Sequence, residues 1–93
     1  MSASPLPEAE IASRLNSLPS WRREGSEITR TFAFADFRAA LAFVNKTGDL
    51  AEAAGHHPDI DIRYNKVRLA LVTHDAGGLT AKDFDLAANI SRL

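Results

Sequence analysis

The sequence predicts an α+β fold: a four-stranded antiparallel sheet with three helices packed on one face, in the order α-β-β-α-β-β-α. Three observations predict it. Apolar residues recur at helical spacing in three separate stretches, the last running to the C-terminal Leu93. Between the stretches lie two pairs of segments with strand-like alternation. Each pair is joined by a hairpin-length connection, which permits only antiparallel pairing and segregates helices from strands.

The elements follow in order. Residues 1–5 read as a loose tail. Pro7 suits a first helical turn, with Glu8 and Glu10 on the favourable side of the helix dipole. Ile11, Leu15 and Leu18 then form one apolar stripe, which Pro19 ends. Trp21–Arg23 and Glu27–Phe34 read as strands joined at Glu24-Gly25-Ser26. In the second of these, Ile28, Arg30, Phe32 and Phe34 share the face expected to meet the core, and Thr29, Thr31 and Ala33 the other. Arg30 interrupts the apolar face, so it should lie near a sheet edge or snorkel to water.

Asp36 is a plausible N-cap for a long helix to about Ala54. Phe37, Leu41, Val44, Gly48 and Ala51 mark one stripe, and Phe43, Leu50 and Ala54 a second. Two apolar faces suggest either two partners, the sheet and another subunit, or one wide stripe that a small domain wraps by itself. Gly48 costs about 1 kcal/mol of helix stability relative to alanine, which points to close backbone packing there. Gly55 fits a helix stop, followed by the loop His56-His57-Pro58. Ile60, Ile62 and Tyr64 alternate with Asp59, Asp61 and Arg63 as a half-buried strand. A tight turn is expected at Asn65-Lys66. Val67, Leu69 and Leu71 alternate with Arg68, Ala70 and Val72 in the strand after it. Asp75–Gly78 reads as a flexible loop. Thr80 and Asp83 have capping-box spacing, and Leu86, Ile90 and Leu93 give the last helix its apolar face.

Ninety-three residues suggest one domain, spanning 1–93, that buries about 60–65% of its unfolded surface. Such a core is small, and oligomerisation would extend it. The chain is 45% hydrophobic and 25% charged, with 11 basic and 12 acidic residues. No basic stripe is visible, which disfavours a nucleic-acid partner. Cysteine is absent, which removes disulfides, thiolate metal sites and thiol nucleophiles. The N-terminal stretch Met1–Glu8 has neither a charged region nor an apolar run. No segment approaches the roughly 18 apolar residues of a membrane span. A soluble, cytoplasmic protein without a membrane partner is therefore expected.

All three histidines fall between positions 56 and 74, with Glu52, Asp59 and Asp75 beside them. Histidine is the side chain whose unperturbed pKa lies nearest neutrality, so the clustering suggests proton transfer. Adjacent His56 and His57 converge on one ligand most easily from an irregular loop, and Pro58 biases His57 to an extended conformation. One hairpin, Asp59 to Thr73, connects that loop to His74. Its two ends return to the same place, so His56/His57 and Thr73/His74 should be neighbours at one end of the sheet. Glu52, one helical turn before His56, could orient an imidazole or raise its pKa. The competing reading is that these histidines merely pack or cap a helix. A metal site is a poor match, because zinc-binding histidine pairs on helices are usually four residues apart. Gly77-Gly78 is too short for a phosphate loop, and no serine or threonine sits in a nucleophile elbow. Trp21 is expected in the core or lining a cleft. Arg22-Arg23 reads as a solvated edge, and Tyr64-Asn65 as hairpin chemistry.

Glu52, His56-His57-Pro58, Tyr64-Asn65-Lys66-Val67, Leu71-Val72-Thr73-His74, Gly78-Leu79-Thr80 and Asp83 together resemble the pterin-4a-carbinolamine dehydratase family. Leu18-Pro19-Ser20-Trp21 and the Phe37/Phe43 helix extend the likeness over nearly the whole chain. The resemblance implies three helices against a four-stranded antiparallel sheet. It implies dehydration of 4a-hydroxytetrahydropterin to quinonoid dihydropterin, in recycling the pterin used by aromatic amino-acid hydroxylases. It implies a homodimer or homotetramer, and no metal or bound cofactor. By similarity, His56 and His74 would be the acid–base groups at the reacting carbon. His57 would bind the pterin and assist proton removal, and Glu52 would be a carboxylate near the site. Pro58 and the backbone of Thr73, His74, Asp75 and Ala76 would cradle the ring. Asp83 matches a motif position near the cleft, and its capping role explains it equally well. Some members carry an aromatic residue where this chain has Ile60, so a cleft lined there would have a smaller apolar wall. Two alternatives stand beside this reading. One is a non-catalytic interaction module using the 36–54 helix through Phe43 and Leu50, and the other is a metal-dependent hydrolase.

Overall fold

The computed structural model describes residues 4–93. Its elements are α1 (Glu8–Asn16), β1 (Arg22–Glu24), β2 (Glu27–Ala33), α2 (Phe37–Ala54), β3 (Asp59–Arg63), β4 (Lys66–Leu71), a single 3-10 turn (His74–Ala76) and α3 (Ala81–Ser91). The four strands form one antiparallel sheet in the order β1-β2-β4-β3. This is the predicted α+β architecture in the predicted element order.

Local chemistry sets the helix ends. Pro7 is the N-cap of α1 rather than a first-turn residue, and Glu8 and Glu10 occupy that turn. Asp36 caps α2 by accepting the Ala39 N–H at 2.8 Å. Gly55 ends α2 in the left-handed region, with φ 63°, where a Cβ would clash with the backbone. Thr80 and Asp83 form the capping box of α3.

The core lies between the sheet and the helices. Ile28 of β2 and Val67, Leu69 and Leu71 of β4 are fully buried. Phe43 of α2 and Phe84, Leu86 and Ile90 of α3 cover them. Phe43 stacks on Phe32 and Phe34 with ring centroids 4.5 and 4.9 Å apart. Each such side chain contributes about 1.5–3 kcal/mol by leaving water.

Several expectations are corrected. On α2 the buried stripe is Ala40, Phe43, Thr47 and Ala51. Phe37 and Leu41 of the first expected stripe are exposed instead, at 47% and 38%. Gly48 packs against nothing: a Cβ there would meet no atom within 4 Å. Strand β3 is not half-buried, since all five of its residues are exposed. It is an edge strand, and Ile60 and Ile62 point to the helix side beyond the helices' cover. The turn after it falls one residue early. Arg63 pairs with Lys66, so Tyr64 and Asn65 make the turn, with Tyr64 at φ 51°. Asn65 locks this turn to the end of β2, its Nδ2 donating to the Phe34 carbonyl at 2.8 Å and its carbonyl accepting the Phe34 N–H at 2.8 Å.

Arg30 lies one residue past the β1 ladder, which ends at Thr29, so β2 is open on that side there, as expected. It escapes burial by lying over the Phe32 ring, 4.2 Å from its centroid, and reaching Ser91. Thr29, on the outer face, is buried nonetheless, and its hydroxyl donates to Glu24 at 2.5 Å. Arg22 and Arg23 lie exposed on edge strand β1, as expected, and Arg23 pairs through both terminal nitrogens with Glu8. Residues 75–78 are ordered by the 3-10 turn and by paired Thr73–Gly78 backbone hydrogen bonds. Leu93 lies beyond α3 and is exposed. The expected loose tail falls partly on residues outside the described range. Within that range Pro5 lies over Gly78, and the Leu6 N–H donates to the Leu79 carbonyl at 2.8 Å.

Candidate active site

Two chain segments meet at one end of the sheet. The first leaves α2 at Gly55, where the reversal is held by the His56 N–H donating to the Ala51 carbonyl at 3.1 Å. The second leaves β4 and enters the 3-10 turn at His74. Asp59 pairs with Ala70 in the β3–β4 ladder, so the residues preceding Asp59 lie beside those following Leu71. The hairpin therefore closes as its sequence predicts.

The segments enclose a pocket of about 260 Å³ lined by Gly55, His56, His57, Val72, Thr73, His74, Asp75 and Lys82. All three histidines line it, as do Thr73 and Asp75. Glu52 stands behind His57 rather than in the lining. Pro58, Ala76 and Ile60 are not part of the lining either, so Ile60 provides no wall of this pocket. Trp21 is elsewhere: it is buried in the core, and its indole N–H donates to Ser91 at 2.9 Å.

The imidazoles have different partners. His56 Nε2 is 2.6 Å from Asp83 Oδ1, and the Asp83 side chain is wholly buried. The other oxygen, Oδ2, accepts the Thr73 hydroxyl at 2.8 Å and the Thr80 N–H at 2.9 Å. Thr73 and Thr80 hydroxyl oxygens are 2.7 Å apart. Asp83 thus caps α3 and holds a pocket histidine at once. His57 Nε2 is 2.5 Å from Glu52 Oε2, and both side chains are largely exposed. Among the described residues, no side-chain hydrogen bond holds the His74 ring. The pocket therefore presents two imidazole–carboxylate pairs, one buried and one exposed, and an imidazole free of such a pair. Such a set can give and take protons on opposite sides of a small ring. Among the described residues, no three histidine, aspartate or glutamate side chains converge as a metal-binding group.

Sequence reasoning missed Lys82, Val72 and Thr80. Lys82 follows the capping threonine by two positions, and only the docking of α3 turns it toward the pocket. Val72 continues the β4 alternation past the last ladder pair. Thr80 was visible as a cap but not as a partner of Thr73.

Comparison with known proteins shows the family and the fold. Residues 4–93 match the family model described as pterin 4 alpha carbinolamine dehydratase. A protein of Acidobacterium capsulatum, provisionally named a pterin-4-alpha-carbinolamine dehydratase, is 68% identical over 83 residues, covering 89% of this chain and 90% of the relative. The crystal structure of a transcriptional coactivator/pterin dehydratase from Brucella melitensis superposes with TM-score 0.91 at 33% identity, covering 96% of this chain and 97% of that one. A pterin dehydratase-like protein described as a RuBisCO assembly factor in the alpha-carboxysome superposes with TM-score 0.68 at 29% identity, covering 78% and 87% of the two chains.

Proposed function

The chain belongs to the pterin 4 alpha carbinolamine dehydratase family, and on that premise we propose that it removes water from 4a-hydroxytetrahydropterin to give quinonoid dihydropterin. The carbon–hydroxyl bond breaks as a proton reaches the leaving oxygen, and a ring nitrogen gives up a proton in exchange. The observation that carries this reading is the convergence of His56, His57 and His74 on one small pocket. His56 and His74 serve as the acid–base groups, and His57, paired with Glu52, binds the pterin and assists proton removal. Thr73 and Asp75, which line the pocket, cradle the ring. The reaction takes place in tetrahydropterin recycling, in the cytoplasm, downstream of an aromatic amino-acid hydroxylase. A turnover assay with freshly generated 4a-hydroxytetrahydropterin tests it: dehydration faster than the spontaneous rate supports it, and no acceleration rejects it.

A second reading is favoured by exposed apolar residues on two elements. Phe37 and Leu41 face outward from α2, and edge strand β3 exposes Ile60 and Ile62. We propose that these surfaces join copies of the chain into a homodimer or homotetramer, and that α2 is the face for any protein-interaction role. Phe43 and Leu50 turn inward toward the core, so they are poor probes of such a contact.

A further inference from the structure

We infer that Asp83 is a positioning residue that fixes His56 as the Nε2–H tautomer, leaving Nδ1 as the ring nitrogen that exchanges a proton with substrate. The inference deepens the dehydratase reading and rests on it for the substrate, but the tautomer itself follows from the hydrogen-bond geometry.

Asp83 is wholly buried, and both its oxygens are engaged. A carboxylate accepts hydrogen bonds and has none to donate. Oδ2 receives the Thr73 hydroxyl and the Thr80 backbone N–H. The Thr73 proton is thereby committed, so at 2.7 Å Thr80 must donate to Thr73 and not the reverse. The chain of donors runs Thr80 to Thr73 to Asp83. From the other side, the contact at 2.6 Å requires the proton to lie on His56 Nε2. Which nitrogen of a neutral imidazole carries its proton is set by the bond the other end makes. The His56 backbone is held as well, by its N–H to Ala51. Among the described residues Nδ1 makes no hydrogen bond, and His56 lines the pocket. A buried helix cap therefore dictates the protonation pattern of a pocket imidazole.

The test is two-bond proton–nitrogen correlation on histidine-labelled protein, at a pH where the ring is neutral, with the His56 signals identified by their loss in His56→Gln. The wild type should show Nε2 protonated. Asp83→Asn keeps an oxygen for Thr73 and Thr80 but turns an amide N–H₂ toward His56. Nε2 must then accept, and the proton moves to Nδ1. Turnover should fall at least about tenfold, the low end of acid–base catalysis. Thr73→Val removes one donor to Asp83 but leaves the His56 contact, so the wild-type tautomer should persist. A wild-type Nδ1–H tautomer overturns the inference whether or not the variants fold, and so does an unchanged tautomer in folded Asp83→Asn. The predicted tautomers with no pterin turnover would reject the dehydratase reading alone. Normal pterin turnover with the opposite wild-type tautomer would reject only the role given to Asp83.

Discussion

The carboxylate of Glu52 meets the ring of His57, not that of His56, with Oε2 and Nε2 2.5 Å apart across the helix stop at Gly55. Glu52 and His56 lie one helical turn apart in sequence, which invites the other pairing. The left-handed conformation of Gly55 turns the chain, and His56 goes inward to Asp83 while His57 stays outside with Glu52.

That exposed pair predicts a small effect of Glu52→Gln. Exposed ion pairs contribute about 0–1 kcal/mol, so stability should barely change. If Glu52 orients His57 for binding, KM should rise by up to about fivefold, the equivalent of roughly 1 kcal/mol, with kcat retained. Steady-state kinetics decide the matter. Equal losses in kcat and kcat/KM would put Glu52 in the chemical step instead.

His56→Ala and His74→Ala should each lower dehydration by roughly tenfold or more, since each removes a general acid or base. Circular dichroism should show that both variants remain folded. Near wild-type turnover in both would reject the assignment of roles.

Phe43→Ala should destabilise the protein by about 3–5 kcal/mol, the usual range for an aromatic side chain removed from a core. Phe43 packs on two other rings from inside the sheet–helix layer. Leu41→Ala, on the exposed face, should change the stability of an isolated chain by no more than about 0.5 kcal/mol. Urea unfolding compares them at a protein concentration low enough to hold the chain monomeric. Equal losses would mean that α2 docks on the sheet by another face.

The contrast between Phe43 and Leu41 shows where the sequence was legible and where it was not. Caps are local, so Asp36, Gly55 and the Thr80/Asp83 box could be read directly. The α2 stripes could not be ranked, because apolar residues at helical spacing mark two faces. Only the docking of α2 on β4 and α3 decides which face is buried. The β3–β4 turn was displaced because Tyr64, a bulky residue, adopts a positive φ that sequence reasoning reserves for glycine or asparagine. In the site, the hairpin joined His56/His57 to Thr73/His74 on topology alone. The double engagement of Asp83 needed the docking of α3 against the end of β4, which leaves no periodic mark in the chain.

Leu41→Glu and Phe37→Glu should shift the protein toward a lower mass if α2 joins copies of the chain. Both positions are exposed, so the charge costs little in a monomer. Light scattering and sedimentation measure the change. An unaltered mass in the double variant, together with one in Ile60→Lys at the β3 edge, would reject both proposed assembly surfaces.

The outer face of the sheet predicts part of the acid sensitivity. Glu24 is held below the usual carboxylate range, chiefly because its ionised form accepts the Thr29 hydroxyl; partial desolvation opposes this, and Arg68 and Arg22 add smaller effects in the lowering direction. Its folded value thus lies below its unfolded value, and the unfolded chain binds more protons between the two. Stability must then rise with pH through that window. The contribution is present above the unfolded value and is lost as pH falls through the folded one. Glu24→Gln removes the titration. The difference in urea midpoint between wild type and variant should therefore be largest near neutrality and shrink on acidification. Thr29→Val should weaken the same acid dependence while leaving the Arg68 contact in place. A difference that stays constant from neutral pH to the acid limb would mean that Glu24 contributes through packing and not through its charge.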